Sequence, residues 1–398
     1  MNPDLAQLQA YPFQRLRNLL QGVPPAADFT PINLSIGEPK HATPALIRDA
    51  LLQHLDGLSH YPATQGSDDL RQAIARWLEQ RYRIPQINPQ TQVLPVSGSR
   101  EALFAFAQAV IDRAREPIII APNPFYQIYE GAAVLAGATP YYLNTLPSNG
   151  FRMDFAGVPQ DVLRRTQLVY VCSPGNPTGK VMALEDWREL FALSTRYGFV
   201  IAADECYSEV YFDEARPPLG ALDAAQQLGL KDFANLVVFG SLSKRSNVPG
   251  MRSGFVAGDA QILEKFLLYR TYHGCAMSPM VQSASQAAWQ DEAHVIENRR
   301  LYRLKFAAFQ SALTGSLPLQ MPDAAFYFWA QTPVDDTEFA LALHRDYNVT
   351  VLPGRFLARE AHGVNPGANF VRIALVASEA ECLEAAQRIK QFMQQLKT

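Results

Sequence analysis

The middle of this chain alternates between short apolar runs, typical of buried strands, and segments with apolar residues three and four positions apart, typical of helices. Strands are predicted at residues 92–96, 118–121, 139–143, 168–172 and 200–203, and in the run that begins at residue 238. Helices are predicted at residues 68–82, 102–111, 128–136 and 184–197. Because strands that alternate with helices form parallel sheets covered on both faces, we predict an α/β fold with a mainly parallel sheet.

The pattern changes beyond residue 279, where helical periodicity dominates. Helices are predicted at residues 281–289, 293–313, 337–347 and 379–396, with strands at 326–329, 349–352 and 369–374. Near the N-terminus we predict a helix at 13–20, a strand at 32–36 that ends in a turn at Gly37, and a helix at 44–55. These elements predict a large domain of residues 42–290 and a small α+β domain formed by residues 1–41 together with 291–398.

Length and charge restrict the partners of such a protein. A chain of 398 residues is longer than a single hydrophobic core usually accommodates, which favours two domains. The net charge of −3 gives no long-range attraction for nucleic acid or an anionic membrane, so small molecules are the expected partners. No apolar run approaches the ~20 residues that cross a bilayer, and no signal peptide is recognised, so we expect a cytoplasmic protein.

Cysteine and histidine spacings predict neither disulfides nor a metal site. The four cysteines contain no Cys-x-x-Cys pair, which fits reduced thiols, and we expect all of them to be structural: Cys172, Cys206, Cys275 and Cys382. The histidines do not occur at the spacings of metal ligands.

Candidate chemistry is found where the predicted strands end, because ligands of open α/β sheets bind beyond the carboxyl ends of the strands. The residues that follow these ends are 97–100, Tyr126, Asn176, Asp204 and Lys244. Residues 97–100, Ser-Gly-Ser-Arg, join a strand to a helix, where free N–H groups favour an anion. A plain loop is the alternative for this turn. The anion site is favoured only if the chain contains a second set of phosphate ligands.

The second set surrounds Lys244, which lies between Ser241 and Ser243 on one side and Arg252 on the other. An amine, two hydroxyls and a guanidinium in one turn suit an amine nucleophile beside a bound phosphate. A solvated basic loop is the alternative, and the flanking apolar strand argues against it.

Two further charged residues have a structural and a functional interpretation. Asp204 directly follows an apolar strand, where a carboxylate is costly unless a cation or a donor meets it; a helix cap or an ion pair would also explain it. Arg372 on the last predicted strand serves either a salt bridge or bidentate capture of a carboxylate. Gly37 allows a close approach to the backbone, although a plain turn is the simpler interpretation.

Together these motifs resemble the fold-type I pyridoxal-phosphate aminotransferases of class I/II over nearly the whole chain. The segments that carry the resemblance are Ser-Gly-Ser-Arg (97–100), Pro-Phe-Tyr (124–126), Asn-Pro-Thr-Gly (176–179), Asp204 with Tyr207, Ser-Leu-Ser-Lys (241–244) with Arg252, and Arg372. The resemblance implies a large domain with a seven-stranded-type, mainly parallel sheet, a small α+β domain, and pyridoxal 5′-phosphate (PLP) as cofactor.

The resemblance also implies catalytic roles. Lys244 would form a Schiff base with PLP and then carry the proton between the substrate Cα and C4′ of the cofactor. Asp204 would keep a proton on the pyridine nitrogen. Asn176 and Tyr207 would hydrogen-bond the phenolic oxygen, and Tyr126 would stack on the ring.

Further residues would bind the phosphate and the substrate. The implied phosphate ligands are Gly98, Ser99, Arg100, Ser241, Ser243 and Arg252. Tyr61 would cross to the phosphate of a neighbouring subunit, which implies a homodimer with shared active sites. Arg372 would bind the substrate α-carboxylate, with Gly37 and Asn176 beside it.

Within the family, residues 244–255 and the opening segment resemble bacterial succinyldiaminopimelate aminotransferases. This implies transfer of an amino group between glutamate and N-succinyl-2-amino-6-oxopimelate, in lysine and diaminopimelate biosynthesis. The distal succinyl carboxylate would need a second cation, for which Arg17, Arg270 and Arg100 are candidates. Where the family often has paired glycines, this chain has Ala324-Ala325, which leaves the shape of the substrate pocket open.

Other functions remain open at this point. A general aspartate, alanine or aromatic aminotransferase, or a PLP-dependent C–S lyase, would keep the cofactor and change the reaction. An effector-binding regulator would need an attached DNA-binding domain, and the residues ahead of Gly37 are too few and not basic enough for one.

Overall fold

A seven-stranded sheet forms the centre of the larger region of the molecule in the computed structural model, which describes residues 1–396. In chain order, the strands within these residues are β1 (Ile32–Asn33), β2 (Val93–Val96), β3 (Ile118–Asn123), β4 (Thr139–Asn144), β5 (Thr166–Cys172), β6 (Val200–Asp204), β7 (Leu236–Ser241), β8 (Gly254–Gly258), β9 (Tyr327–Gln331), β10 (Val349–Thr350), β11 (Leu352–Pro353) and β12 (Phe370–Ala374).

Helices account for most of the remaining regular structure. The α-helices are α1 (Pro12–Leu20), α2 (Ala45–Gln53), α3 (Asp68–Tyr82), α4 (Ser99–Val110), α5 (Ile128–Leu135), α6 (Gln160–Arg165), α7 (Leu184–Tyr197), α8 (Ala221–Gln227), α9 (Leu242–Arg245), α10 (Ala260–His273), α11 (Pro279–Gln290), α12 (Ala293–Leu313), α13 (Asp336–Tyr347) and α14 (Glu379–Gln395). Short 3₁₀ helices span Pro3–Gln7, Leu55–Ser59, Arg113–Arg115, Pro147–Asn149, Lys231–Phe233, Pro249–Met251 and Gly354–Phe356.

The large sheet has the strand order β2-β8-β7-β6-β5-β3-β4. Strands β7, β6, β5, β3 and β4 are mutually parallel, whereas β8 runs antiparallel to both of its neighbours. The predicted fold class, with a mainly parallel sheet, is therefore confirmed. The apolar pattern did not predict β8, because glycines at both ends leave it only three apolar positions.

Helices cover both faces of this sheet, so its central strands are apolar on both sides. On β6, Ile201 and Ala203 belong to the core under α3, α7, α8 and α11, whereas Ala202 belongs to the core under α4, α5 and α10. A strand that is covered on both faces must be apolar along its whole length, because side chains on either face are buried. The first polar residue of β6 is Asp204, at its carboxyl end.

A second region combines the two ends of the chain. The antiparallel sheet β11-β12-β9 shares a core with α12, α13 and α14. Strand β1 pairs in parallel with β10, which attaches the N-terminal segment to this region. The predicted strand at 349–352 was wrong as one element: β10 pairs with β1, β11 pairs with β12, and the chain passes between the two sheets at Val351. The predicted domain bounds stay a prediction.

No helix within residues 1–396 is long and apolar enough to cross a membrane.

Arg359 joins the C-terminal part of the chain to the large sheet. Its guanidinium donates two hydrogen bonds to the carboxylate of Glu130 on α5, at 2.8 and 2.6 Å, and Tyr142 donates a third to the same carboxylate at 2.5 Å. The Asn123 side chain bonds to both the N–H and the carbonyl of Arg359, at 3.0 and 2.8 Å. This nearly buried pair fixes residues 357–361 beside the ends of β3 and β4.

We expect Arg359→Met to destabilise the protein by about 3 kcal/mol, because the nearly buried Glu130 carboxylate loses its partner. Thermal and urea midpoints measure the effect, and the double variant Arg359→Met/Glu130→Leu should recover most of the loss. Arg188→Met is the matched control: its pair with Glu185 is exposed on α7, so a loss below about 1 kcal/mol is expected. Equal losses in the two single variants would contradict this account.

Candidate active site

A cavity of about 460 Å³ opens at the carboxyl ends of the parallel strands. The sheet forms its floor, Tyr11 and Phe13 of the N-terminal segment border it, and Tyr327 and Arg372 enter from the second region. The predicted site residues that line it are Gly37, Ser99, Arg100, Tyr126, Asn176, Asp204, Tyr207, Ser241, Ser243, Lys244, Arg252 and Arg372. The ends of the strands thus bring residues from distant parts of the chain to one cavity.

Lys244 occupies α9, a four-residue helix that directly follows β7. Its Nζ donates to the carbonyl of Gly37 at 2.6 Å. Burial lowers the pKa of Lys244 to about 8, and the guanidinium groups of Arg372 and Arg100 contribute to that lowering. A substantial fraction of the amine is therefore neutral, and nucleophilic, near physiological pH.

The backbone of Lys244 is held from behind by buried polar side chains. Asn298 on α12 donates to the carbonyls of Lys244 and Arg245, at 3.3 and 3.4 Å. The fully buried Arg245 donates to the carbonyl of Ala288 at 2.7 Å and pairs with Glu292. These contacts fix the short helix that presents the amine.

Asp204 ends β6 and is nearly buried at the floor of the cavity. Its carboxylate accepts hydrogen bonds from the Tyr129 hydroxyl at 2.7 Å and from the Cys206 N–H at 3.2 Å. Burial raises the pKa of Asp204, and these hydrogen bonds offset part of that rise. A carboxylate in this position is stabilised by a cationic N–H group placed in the cavity.

Backbone and side-chain donors converge at the start of α4. Gly98 precedes this 12-residue helix with a φ of 86°, in the left-handed region that favours glycine. A Cβ atom on Gly98 would collide with the guanidinium of Arg252, so the glycine lets that cation lie against the helix N-terminus. Ser99, Ser241 and Ser243 line the same cavity, and the combination suits a phosphate.

Arg372 lies on β12 with its head group in the cavity. Its Nη1 donates to Asn176 Oδ1 at 2.9 Å, and its Nη2 donates to the carbonyl of Ser35 at 2.8 Å. Its buried Nε has no hydrogen-bond partner among the described residues. A guanidinium oriented by neutral groups, with no carboxylate beside it among residues 1–396, remains available for a carboxylate ligand.

The side chain of Arg100 borders another part of the cavity. Its Nε donates to the Tyr126 hydroxyl at 2.6 Å, and its Nη2 lies 3.4 Å from the Tyr11 hydroxyl. Burial raises the pKa of Tyr126, so this tyrosine is a neutral partner of the cation. Within the described part of the chain, Arg100 is thus a second guanidinium without a carboxylate partner.

The other two candidates for a distal carboxylate are not in the cavity. Arg270 is fully buried and donates to both oxygens of Glu101, at 2.8 and 2.9 Å, so its guanidinium already has a carboxylate partner. Arg17 lies on the exposed side of α1, where it donates to Gln14. Sequence alone could not separate the three arginines, because an arginine's partner is set by tertiary packing.

Two of the predicted cofactor ligands do not line the cavity of their own chain. Gly98 is buried behind it and acts through its backbone geometry. Tyr61 is fully exposed between α2 and α3, and its role across a subunit boundary stays a prediction.

Several residues of the site were missed. Tyr129 occupies an ordinary apolar-face position of α5, and Tyr327 begins the apolar strand β9, so neither had a local signal. Cys172 and Cys206 were expected to be purely structural, yet both line the cavity. Their positions at and just beyond strand ends could have identified them.

The donor set fits PLP. A phosphate would meet the start of α4 with Ser241, Ser243 and Arg252; a pyridine N–H would meet Asp204; and an aldehyde would meet the amine of Lys244. The left-handed φ of Gly98 and the burial of the Asp204 carboxylate without an ion-pair partner among residues 1–396 both have a physical reason if this cofactor binds.

Comparisons with known proteins agree with this geometry. A family model described as "Aminotransferase class I and II" matches residues 30–389. LL-diaminopimelate aminotransferase 2 of Trichormus variabilis is 31% identical over 370 residues, which cover 90% of this chain and 90% of that protein.

Solved structures extend the likeness to the whole fold. A crystal structure described as an aminotransferase from Neisseria meningitidis has a TM-score of 0.95 and 51% identity, over 98% of this chain and 100% of that chain. A probable N-succinyldiaminopimelate aminotransferase from Thermus thermophilus has a TM-score of 0.83 and 27% identity, over 96% and 99%. The predicted family and cofactor are thereby confirmed: this chain belongs to the class I and II aminotransferases, which depend on PLP.

Proposed function

We propose that this aminotransferase moves an amino group between glutamate and N-succinyl-2-amino-6-oxopimelate, a step of lysine and diaminopimelate biosynthesis. The observation that carries the proposal is that three guanidinium groups line one cavity without a carboxylate partner among the described residues: Arg252 lies against Gly98 at the start of α4, which leaves Arg372 and Arg100 for carboxylates. Glutamate and the succinylated substrate each present two carboxylates. A site for either one needs a second cation, because a buried carboxylate without a partner is costly.

In this proposal the residues around Lys244 perform the chemistry. Bound PLP would supply an electron sink for the charge released at the substrate Cα. Lys244 would hold the cofactor through its amine and, once free, move the proton at Cα, as a neutral amine with a lowered pKa can do. Asp204 would hold a proton on the ring nitrogen, while Asn176 and Tyr207 would hydrogen-bond the phenolic oxygen.

The remaining residues would orient the ligands. Tyr126 would stack on the cofactor ring. The phosphate would be bound by the start of α4 together with Ser241, Ser243 and Arg252. Arg372, with Asn176 and Gly37 beside it, would bind the α-carboxylate. Such positioning is expected to contribute as much to the rate as the proton transfer does.

Arg100 would serve two ligands at once. Its backbone N–H lies in the first turn of α4 and would face the phosphate, whereas its side chain extends to Tyr126 and Tyr11 and would bind the distal carboxylate. This division leaves the backbone contact with the phosphate unchanged when the guanidinium is removed, while Tyr126 loses the hydrogen bond from Nε.

A second candidate substrate is LL-diaminopimelate, whose distal end carries both an ammonium and a carboxylate. Glu38 lines the same cavity and offers a carboxylate for the ammonium. The relatives named LL-diaminopimelate aminotransferase also favour this substrate.

We further propose a cytoplasmic homodimer with shared active sites. Tyr61 and Tyr272 are both large aromatic residues that are almost completely exposed in the single chain. Exposed aromatic residues are enriched where proteins associate. Tyr61 would then reach the phosphate site of the neighbouring subunit.

The reactivity of Lys244 should follow its lowered pKa. When PLP is added to cofactor-free protein, we expect covalent attachment to accelerate as pH rises through about 8 and then to level off, because only the neutral amine attacks the aldehyde. Stopped-flow absorbance gives the rate, and borohydride reduction followed by mass spectrometry locates the modified lysine. An ordinary lysine would continue to accelerate towards about pH 10.4.

Two variants control this experiment. Lys244→Ala should form no reducible adduct, whereas Lys265→Ala, which removes an exposed lysine of α10, should behave as wild type. A wild type that remains colourless and inert to borohydride would refute the role of Lys244.

Substrate choice should depend on Arg100. In single-turnover reactions, we expect glutamate and N-succinyl-LL-diaminopimelate to convert the cofactor to its amine form, and aspartate and phenylalanine to react poorly. Arg100→Met should lower kcat/KM for the succinylated donor at least about 30-fold, through the lost charge pair, while alanine changes little. Arg17→Met is the matched control and should leave all donors unaffected.

The outcome of this screen separates the two candidates. Conversion by LL-diaminopimelate without conversion by the succinylated compound would replace the first substrate with the second. Failure of both, or of glutamate, would refute the proposed substrate class.

Shared sites predict complementation between two impaired variants. Tyr61→Ala and Lys244→Ala should each have little activity, but a mixed dimer would contain one site with both intact residues. We expect co-expressed, randomly paired subunits to reach about a quarter of wild-type activity, because half of the dimers are mixed and each has one intact site of two. If Tyr61 served its own chain, mixing would restore nothing.

A further inference from the structure

Tyr327 is a buried tyrosine in the active-site cavity to which none of the roles above is assigned. It is the first residue of β9, opposite Ala374 of β12. Its side chain contacts three parts of the site that come from different regions of the chain: Tyr207, Arg372 and Gly37. Each contact has a different chemical consequence.

The first contact is a hydrogen bond between two hydroxyls. Tyr327 and Tyr207 lie 2.8 Å apart through their oxygens, and neither hydroxyl has another hydrogen-bonding partner within residues 1–396. Burial raises the pKa of both groups, so both are neutral at physiological pH. If Tyr327 is the donor, the hydrogen of Tyr207 is free for an acceptor in the cavity.

The second contact is with the guanidinium of Arg372, whose Cζ lies 4.5 Å from the centre of the Tyr327 ring. Asn176 and Ser35 hold the two terminal nitrogens of the same guanidinium. The Tyr327 ring is thus a third support of the Arg372 guanidinium, beside Asn176 and Ser35. Tyr327 and Arg372 both belong to the sheet β11-β12-β9.

The third contact is with Gly37. A Cβ atom at this position would collide with the Tyr327 hydroxyl, so the glycine leaves the space that the hydroxyl occupies. The carbonyl of Gly37 accepts the hydrogen bond from Lys244 at 2.6 Å. The Tyr327 hydroxyl therefore lies against the backbone of Gly37, which accepts the hydrogen bond from Lys244. The same hydroxyl is hydrogen-bonded to Tyr207, which faces the cofactor site.

We propose that Tyr327 is a positioning residue that donates its hydroxyl to Tyr207 and supports Arg372 with its ring. The proposal rests on the proposed function, in which Tyr207 hydrogen-bonds the phenolic oxygen of PLP and Arg372 binds the substrate carboxylate. A donor that bonds to the Tyr207 oxygen polarises that hydroxyl and makes it a stronger donor to the next acceptor. Tyr327 would thus adjust the cofactor side and the substrate side of the site together.

This arrangement has a spectroscopic consequence. Hydrogen bonds to the phenolic oxygen stabilise its negative charge, which is greatest when the chromophore formed by PLP and Lys244 has lost its proton. They therefore lower the pKa of that chromophore, and loss of the Tyr327 hydroxyl should raise it. The expected rise is about half a unit to one unit, the size that one neutral hydrogen bond supports.

Two substitutions separate the hydroxyl from the ring. Tyr327→Phe should raise the chromophore pKa, measured by absorbance against pH, while KM for glutamate stays within about twofold because the ring still supports Arg372. Tyr327→Leu should raise the pKa equally and also raise KM by about three- to tenfold, the size of a lost cation–π contact. A Tyr327→Phe titration identical to that of the wild type would overturn the proposal.

A double-mutant cycle tests the route through Tyr207. Tyr207→Phe should raise the chromophore pKa, and addition of Tyr327→Phe should produce no further rise if Tyr327 acts only through Tyr207. Additive shifts would overturn that route. Because Tyr207→Phe keeps the packing of both rings, the cycle remains informative even if Tyr327→Leu does not fold.

Tyr170→Phe is the matched control. Its hydroxyl is equally buried and donates to the carbonyl of Leu103 at 2.6 Å, outside the cavity. It should lower the thermal midpoint about as much as Tyr327→Phe without moving the chromophore pKa. Failure of the proposed function would look different: glutamate would then fail to convert the cofactor of the wild type to its amine form, whereas the Tyr327→Phe titration is measured without any substrate.

Discussion

Burial of charge at the carboxyl edge of the sheet is the constraint on which this site depends. Burial raises the pKa of Asp204 and lowers that of Lys244, so for each group it favours the uncharged form. Neither is left without partners: Tyr129 and the Cys206 N–H meet the carboxylate, and the Gly37 carbonyl meets the amine. A bound pyridinium would give the carboxylate a cation at ion-pair distance, which no side chain within residues 1–396 does, while the neutral amine is the reactive one.

The sheet makes this arrangement possible because its parallel strands end together. Strand β6 presents Asp204 while its neighbours β5 and β7 lead directly to Asn176 and to α9 with Lys244. Residues far apart in the chain thereby acquire fixed relative positions from the sheet register alone. The second region then closes the site from above, with Arg372 and Tyr327 on paired strands and Gly37 just beyond β1.

This division explains what could be predicted from the sequence. Asp204 and Lys244 were identifiable because an apolar run that ends in a polar residue is visible locally, and the topology of α/β sheets gives the consequence. The partners of Arg100 and Arg270 were not, because only packing places one beside Tyr126 and the other beside Glu101. Tyr327 was missed for the same reason: its strand is apolar like any other buried strand.

The Ala324-Ala325 pair shows a further limit of prediction from the sequence. Ala325 has a φ of 70°, in the left-handed region for which glycine is the usual residue. The sequence showed the departure from the family pattern, but only the backbone shows that a left-handed residue is present at this position.

Specificity and chemistry consequently depend on different parts of the chain. Arg372 is held by a strand, by Asn176 and by Ser35, so in the proposed function the place of the α-carboxylate would be set by elements that also define the reacting centre. Arg100 is held by two tyrosine hydroxyls, one of them on the segment that precedes α1. In the proposed function, the separation of these two guanidinium groups would limit the length of a substrate with two acidic ends. A change at Tyr11 or Arg100 would then alter which substrate fits, while the hydrogen bonds of Lys244 and Asp204, which involve neither residue, would remain.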